Sequence, residues 1–161
     1  MPTKWPAFSL CGDTQVVNVS EHFTIEELTF SSTAVARGID NQPPADAVEH
    51  LAVLAQGLEA VRALLGAPLR IDSGYRCPAL NAAVRGVPTS AHTAGFAADF
   101  ICPAYGTPFG IVRRIVEDGS IRFDQLIQEG TWVHISFDPK MRGEVLTAHF
   151  ADGKATYTQG A

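Results

Sequence analysis

The sequence has few of the features that identify large classes of proteins. No apolar run approaches the ~20 residues of a membrane-spanning helix, so membrane insertion is not expected. Lysine and arginine form no cluster and the net charge is −5, which argues against nucleic acid as a partner. The three cysteines, Cys11, Cys77 and Cys102, include no CxxC pair, so free thiols in a reducing compartment are expected.

The remaining composition is that of an ordinary soluble globular protein. The 161 residues are 46% hydrophobic and 18% charged, with no repeat, linker or low-complexity segment. Because this length suits one compact unit, we expect residues 1–161 to form a single domain and to act as a monomer. The stretch MPTKWPAFSLCGD is broken by Pro6 and is too short for a secretory signal, so the protein is expected to be cytoplasmic as synthesised.

Helical signals dominate the first two thirds of the chain. Thr24 and Glu27 form a capping box that begins a short helix. Apolar residues at steps of three and four predict a core helix over about 45–65, with the stripe Val48, Leu51, Leu54, Leu58, Val61 and Leu65. Two further helices are expected at 78–86 and 107–119, each with a proline at its start and a glycine at its end.

Strand signals dominate the last third. Short strands are predicted at 69–72 and 96–102, followed by two hairpins at 124–137 and 144–159. The second hairpin is closed by the turn pair Asp152 and Gly153. Helices early and strands late predict an α+β fold in which the helices pack on a small antiparallel sheet.

The stretch SAHTAGFAADF contains the first candidate chemistry. A turn at Gly95 followed by an extended segment would bring His92 and Asp99 toward one point. Catalytic zinc takes three protein ligands, so a third is needed, and the candidates are His22, His50, His134 and His149. His22 and His50 are better explained as solvated or half-buried side chains. His134 is different because it lies in the β-favouring segment TWVHISF, where alternation puts Trp132, His134 and Ser136 on one face.

The hairpin register relates His134 to a carboxylate. If its loop is Gly130 and Thr131, the cross-strand pairs are Glu129 with Trp132, Ile127 with His134, and Gln125 with Ser136. Glu129 is then a diagonal neighbour of His134 on the same face, at roughly 7–8 Å between backbones. A slip of one residue would turn the carboxylate to the other face.

Two motifs in order resemble those of the M15 zinc peptidases of the D-Ala-D-Ala carboxypeptidase type. The first motif is Ser73 to Arg76, and the second is filled by Ser90, His92, Gly95, Ala97 and Asp99. The last histidine of the family corresponds to His134, which follows Trp132 in the segment TWVHISF. The resemblance implies a hedgehog/D,D-peptidase-like fold and one Zn²⁺ held by His92, Asp99 and His134. It also implies hydrolysis of peptidoglycan stem peptides.

The resemblance, with the residue types, also suggests roles for the neighbouring side chains. Glu129 is the candidate base, although many relatives place this carboxylate two or three residues before the last histidine. Arg76 suits a substrate carboxylate or a developing oxyanion. Ser90 and Gln125 are expected to orient a ligand or the substrate backbone. Arg85 stands where relatives often have glycine.

The expected function is therefore that of a D,D-carboxypeptidase or endopeptidase, in phage lysis, in a phage tail or in bacterial wall remodelling. The alternative is a non-catalytic zinc-containing module on the same fold, which binds the cell wall or serves as a structural part of a virion. At the level of residues, the His and Asp side chains could form a hydrogen-bonded cluster without metal. Arg76 could instead pair with Asp72 or Asp99, and Glu129 could be a solvated turn residue.

Overall fold

A six-stranded sheet with helices packed against it forms the framework of the protein. The computed structural model describes residues 16–161, so the whole N-terminal stretch MPTKWPAFSLCGD, with Cys11, lies outside the described residues. The helices are α1 (Ile25–Thr29), α2 (Ser32–Arg37), α3 (Ala45–Leu65), α4 (Pro78–Ala83), α5 (Ala91–Ala94) and α6 (Pro108–Asp118). The strands are β1 (Arg70–Ser73), β2 (Ala97–Ile101), β3 (Gln125–Glu129), β4 (Trp132–Ser136), β5 (Glu144–Ala151) and β6 (Lys154–Gln159).

The long helix α3 has the predicted bounds. It ends where Gly66 adopts φ 65°, a left-handed conformation that glycine takes without steric cost. Its buried face consists of Ala47, Leu51, Leu54, Ala55, Leu58, Val61 and Leu65. Val48 was predicted in this stripe but is only half-buried, because the helix turns Ala47 and Leu51 toward the core instead.

Helix α6 has the predicted capping residues. The hydroxyl of Thr107 accepts from the backbone N–H of Gly110, Pro108 occupies the first turn, and Gly119 ends the helix with φ 69°. Its buried side chains, Ile111, Val112 and Ile115, join α3 in the core. Burial of each such side chain stabilises the fold by roughly 1.5–3 kcal/mol.

The strand order in the sheet is β1-β2-β4-β3-β5-β6. Both predicted hairpins are confirmed, with the turns at Gly130 and Thr131 and at Asp152 and Gly153. The prediction of a purely antiparallel sheet is wrong for one pair, because β3 and β5 are parallel.

The connection between β4 and β5 explains the parallel pair. The end of β4 lies beside the start of β3, and residues 137–143 carry the chain past that end of the sheet. The N–H groups of Gly143 and Glu144 then donate to the carbonyls of Phe123 and Asp124, at 3.1 and 2.9 Å. Strand β5 therefore starts next to the start of β3 and runs in the same direction.

The two faces of the sheet have different neighbours. Alternate residues of the central strands, including Phe100, Val133 and Ile135, join α3 and α6 in the main core. The opposite face carries Asp99 and His134, which are direct partners across β2 and β4. The fold thus places polar side chains on a sheet whose other face is anchored by the core.

Two smaller observations concern the thiols and the helices. Cys77 is half-buried and Cys102 is buried, and both are free thiols, as predicted. Among residues 16–161, no helix combines the length and the apolar character needed to cross a bilayer.

Candidate metal centre

His92, Asp99 and His134 meet on the face of the sheet opposite the core. His92 Nε2 lies 3.2 Å from both Asp99 Oδ1 and His134 Nδ1, and the last two atoms are 3.0 Å apart. All three residues are buried. In a tetrahedral zinc site with bonds of about 2.0–2.2 Å, ligand atoms are about 3.3–3.5 Å apart. The triangle therefore has nearly the size that three zinc ligands require.

The chemistry of the three atoms also fits a cation. The Nδ1–H of His92 donates to the carbonyl of Gly74 at 2.7 Å, which leaves its Nε2 with a lone pair directed into the triangle. Asp99 contributes a carboxylate oxygen, which is an acceptor when ionised. Acceptor atoms at this spacing repel one another unless a proton or a cation lies between them. A divalent cation can accept a lone pair from each of the three atoms.

The protonation states favour metal binding. Burial lowers the pKa of His92, although the Asp99 carboxylate partly opposes this effect, so the imidazole is neutral at neutral pH. Burial alone would raise the pKa of Asp99, but its interactions with His92 and His134 hold that pKa well below the usual range. A neutral imidazole and an ionised carboxylate are the forms that coordinate zinc.

Arg76 holds the other oxygen of Asp99. Its Nη2 donates to Asp99 Oδ2 at 2.8 Å, and its Nε donates to the hydroxyl of Ser73 at 3.0 Å. The structure thus shows the ion pair with Asp99 rather than one with Asp72, which instead binds Arg70. Since Oδ1 faces the histidines and Oδ2 faces Arg76, this contact orients the carboxylate toward the candidate metal position.

The local sequence explains how His92 reaches the site. It lies on the single-turn helix α5, where the Ser90 hydroxyl accepts from the N–H of His92 at 3.3 Å. Gly95 ends this helix with φ 83°, and a Cβ there would lie 2.9 Å from the Ala47 carbonyl oxygen. Glycine at this position therefore allows α5 to turn into β2 while packing against α3.

The segment Ser73 to Arg76 also depends on a glycine. A Cβ on Gly74 would lie 2.2 Å from the backbone oxygen of Leu28, so only glycine fits against α1 here. The N–H of Tyr75 donates to the same Leu28 oxygen at 2.8 Å, and the N–H of Arg76 donates to the carbonyl of His92 at 3.0 Å. This motif is thus a backbone support for His92 as well as the source of Arg76.

Glu129 lies where the hairpin register predicted it. Its Cα partner is Trp132, and Ile127 is the partner of His134, so Glu129 and His134 share a face. The residue is half-buried rather than a fully solvated turn residue. Burial, followed by the nearby charge of Asp99, raises the pKa of Glu129, while His134 and Arg76 partly offset the rise. A carboxylate with a raised pKa suits proton transfer near neutral pH.

The structure gives two predicted side chains local roles. Ser90 caps α5, as described above, and so orients a candidate ligand. Gln125 shares the face of His134 two positions along β3 from Ile127, and its amide donates to Glu144 at 2.6 Å.

The other candidate histidines do not join the triangle. His22 binds Glu59 through Nδ1 at 2.8 Å. His50 is half-buried, stacks on Phe96 and contacts the Ala94 carbonyl. His149 contacts the Thr158 hydroxyl at 2.9 Å. The group His92, Asp99 and His134 is the one set of three among the described residues whose ligand atoms all lie within 4.8 Å of one another.

One feature of the site was not evident from the residues. The Gly74 carbonyl orients His92, but a backbone carbonyl has no signature in a sequence. Arg85 adopts φ 59°. That left-handed conformation costs a residue with a side chain roughly 1–2 kcal/mol, so the backbone at this position would favour glycine.

Comparison with known protein families gives a match. The family model described as Peptidase M15 matches residues 21–136. This segment is more than two thirds of the chain and contains the triangle, Arg76 and Glu129. Strands β5 and β6 lie beyond its end. No curated protein matches the chain.

Proposed function

The chain belongs to the M15 peptidase family, and on that premise we propose that it is a zinc-dependent D,D-carboxypeptidase or endopeptidase acting on peptidoglycan stem peptides. The observation that carries the proposal is the buried triangle of His92, Asp99 and His134, with its atoms 3.0–3.2 Å apart. Glu129 on the same face supports a hydrolase rather than a site that only binds metal.

We further propose that the fold is of the hedgehog/D,D-peptidase type. What supports this is the mixed α+β architecture, with helices on one face of the sheet and the candidate site on the other. Two of the three proposed ligands come from adjacent strands, and the third comes from the short helix before β2.

In this proposal His92, Asp99 and His134 hold one zinc ion per chain. When bound, zinc supplies Lewis acidity that activates water at neutral pH and polarises the carbonyl of the bond to be cut. The Gly74 carbonyl and Arg76 keep His92 and Asp99 in their coordinating orientations. The chain thus provides three ligands and leaves further positions for water and substrate, as catalytic zinc sites do.

Glu129 is the proposed general base. It takes a proton from the attacking water as the oxygen bonds to the carbonyl carbon. It then passes that proton to the leaving nitrogen as the carbon–nitrogen bond breaks. The products are a carboxylic acid and an amine, so one water is consumed for each bond cut. The raised pKa of Glu129 helps because the acid formed in the first step must release its proton in the second.

Arg76 is proposed to bind the substrate as well as Asp99. A guanidinium has five N–H donors, and the contacts to Ser73 and Asp99 use only part of them. Its permanent charge suits the terminal carboxylate of a stem peptide or the oxyanion that forms during hydrolysis. Ser90 and Gln125 are proposed to assist, through α5 and through the substrate backbone respectively.

The substrate determines where the protein would act. Peptidoglycan lies outside the bacterial membrane, so we propose that the protein reaches it after release from the cell or as part of a phage particle. It would then act as a monomer on stem peptides, without binding nucleic acid or inserting into a membrane.

A peptidase assay with matched variants tests the function. The zinc-loaded protein is incubated with synthetic stem peptides ending in D-Ala-D-Ala and with isolated peptidoglycan. New amines and carboxylates are then identified by mass spectrometry. We expect Glu129→Gln to lower kcat by about 10²–10⁴-fold while zinc content stays the same. Glu49→Gln, an exposed glutamate on α3, is the control and should retain full activity.

The other outcomes are equally informative. Binding of peptide without hydrolysis, by the wild-type protein and Glu129→Gln alike, would favour the non-catalytic wall-binding module. Neither binding nor hydrolysis, with zinc present, would contradict the peptidoglycan proposal. Unfolding on removal of zinc by a chelator would indicate a structural metal, since structural zinc supports folding directly.

A further inference from the structure

The C-terminal hairpin of β5 and β6, residues 144–159, extends the face of the sheet that carries the candidate metal centre. We call it the outer hairpin. Its strand β5 pairs with β3, which is the strand that carries Glu129. The family match ends at residue 136, so the outer hairpin is not part of the segment that identifies the family. Its contribution to the site has to be derived from its own residues.

The strand register brings Tyr157 to the site face. Ile127 is the Cα partner of both His134 on β4 and Leu146 on β5. Two residues further along each strand, Glu129 and Ala148 therefore also share this face. Ala148 in turn is the Cα partner of Tyr157 on β6. Tyr157 thus stands on the same face as Glu129 and His134.

The spacing of the strands fixes how far Tyr157 lies from the chemistry. With neighbouring strands about 4.8 Å apart, the Tyr157 backbone is about 10 Å from that of Glu129 and about 14 Å from the strand of His134. The strand between Glu129 and Tyr157 contributes only Ala148, the smallest side chain of this row. Two long polar side chains therefore stand on either side of a short one.

The state of the Tyr157 side chain suits contact with a ligand. It is 52% exposed, so its ring is available to another molecule. Partial burial, followed by the charges of Glu129 and Asp99, raises the pKa of Tyr157. The phenol therefore keeps its proton at neutral pH and is a hydrogen-bond donor.

Other aromatic side chains continue the same edge. Phe150 lies two residues beyond Ala148 on β5 and is 56% exposed. Its ring is 6.2 Å from that of Trp132, the partner of Glu129. Trp132 on β4, and Phe150 and Tyr157 on β5 and β6, thus lie on the two sides of Glu129 and form an aromatic rim around it. Such rings offer apolar area, while the phenol of Tyr157 offers a donor.

The two ends of the face have different chemistry. Arg76 lies at the end next to β1 and β2, where it contacts Asp99. Tyr157 lies at the opposite end, on β6, with the triangle and Glu129 between them. A peptide whose terminal carboxylate is held by Arg76 would cross the strands and direct its preceding residues toward the aromatic rim.

We propose that Tyr157 is a substrate-binding residue that donates a hydrogen bond to a backbone carbonyl of the peptide on the N-terminal side of the cut bond. This inference rests on the proposed function. At about 3.3 Å per extended residue, the distance of about 14 Å from the strand of His134 corresponds to about four residues. Because this distance is measured between backbones and the tyrosine side chain spans part of it, the phenol reaches residues two to four positions before the cut bond. Tyr157 makes the enzyme favour long peptides over dipeptides.

A series of peptides of different length tests the inference. Stem peptides of two to five residues are used with the wild-type protein, Tyr157→Phe and Tyr157→Ala. We expect Tyr157→Phe to lower kcat/KM for the tetrapeptide and pentapeptide about 3–10-fold, the effect of one hydrogen bond, chiefly through KM. The dipeptide should be cut equally by the wild-type protein and by Tyr157→Phe. Thr158→Ala, on the other face of the same strand, is the control.

The failures of the two proposals are distinguishable. If the wild-type protein cuts the peptides and Tyr157→Phe changes none of them, or changes all lengths equally, the inference is wrong and the proposed function stands. If the wild-type protein cuts none, the proposed function fails, and calorimetric titration with the pentapeptide decides the binding role. Weaker binding by Tyr157→Phe, with zinc content unchanged, would then support it; equal binding, or none, would overturn it.

Discussion

The inner strands and the outer hairpin belong to one sheet but differ sharply in burial. Four of the five residues of β2, and four of the five of β4, are buried. Every residue of β6 is exposed. The inner strands are covered by α3 and α6 on one face and carry the polar triangle on the other, whereas β6 is an edge strand.

This difference separates two tasks. Metal ligands have to stay within a fraction of an ångström of their productive positions. Buried strands that are hydrogen-bonded to neighbours on both sides hold side chains in this way. Asp99 and His134 are direct partners across β2 and β4, and His92 is held by the Gly74 carbonyl. A surface that is proposed to bind peptides of different lengths benefits from a less constrained element, such as the outer hairpin.

The largest effect on stability is expected from Gly74→Ala, a substitution in the backbone that supports His92. The new Cβ would lie 2.2 Å from the Leu28 carbonyl oxygen, so the backbone that supports His92 has to move. We expect a loss of about 3 kcal/mol in the free energy of unfolding, together with weaker zinc binding. Urea denaturation measures the first effect. Gly110→Ala in α6, where a Cβ meets only an ordinary contact at 3.5 Å, should be neutral or slightly stabilising.

Arg76→Met should weaken metal binding without abolishing it. The substitution removes the donor that orients Asp99 Oδ2 but leaves all three proposed ligands in place. Loss of such a supporting contact lowers metal affinity by about 10–100-fold. Competition with a zinc chelator of known affinity measures the change. Arg113→Met, which removes an exposed pair with Glu117 and a contact over the Phe109 ring on α6, is the control, and equal affinities for the two variants would contradict the role of Arg76.

Asp124→Asn tests the link between the two regions. Asp124 is 1% exposed and accepts hydrogen bonds from the N–H, Nε and Nη2 of Arg142, just before the outer hairpin. These contacts hold its pKa below the usual value. The resulting stability is therefore present above the unfolded pKa of about 3.9 and is lost as pH falls through the lower folded value.

We accordingly expect Asp124→Asn to cost about 1–2 kcal/mol at pH 7, with the difference from wild type shrinking below pH 4. Urea denaturation at several pH values measures it. Asp152→Asn, in the exposed turn of the outer hairpin, is the control and should leave the free energy of unfolding at pH 7 unchanged. A difference for Asp124→Asn that does not vary with pH would show that its charge is not the source of the stability.

The smallest effect is expected in the outer hairpin itself. Phe150→Ser replaces a side chain that is 56% exposed, so the free energy of unfolding should change by no more than about 0.5 kcal/mol. Zinc content should be unchanged. A loss as large as that of Gly74→Ala, measured by the same denaturation, would show that the hairpin is a cooperative part of the inner sheet.

Much of the site could be predicted because its parts carry local signals. The pair Gly130 and Thr131 determines the hairpin register, and that register placed Glu129 beside His134. The spacing of His92 and Asp99 around Gly95 indicated a turn that brings them together. The resemblance to M15 peptidases, confirmed by the family match, rested on the motifs that contain Arg76, His92, Asp99 and His134.

Other parts could not be predicted because they depend on contacts between distant segments. The parallel pairing of β3 and β5 follows from the path of residues 137–143, which Asp124 and Arg142 fasten. No periodicity in either strand reveals that path. The orientation of His92 likewise depends on the Gly74 carbonyl, a group that every residue possesses. The requirement for glycine at position 74 comes from Leu28, 46 positions earlier in the chain.

The central claim is that His92, Asp99 and His134 hold a metal ion, and metal analysis tests it most directly. Purified wild-type protein, His92→Ala and His50→Ala are loaded with zinc, dialysed and analysed for their elemental content. His50 is the matched control, since it is a half-buried histidine outside the triangle. We predict about one zinc per chain in the wild-type protein and His50→Ala, and almost none in His92→Ala. No zinc in the wild-type protein, or equal amounts in all three, would contradict the account.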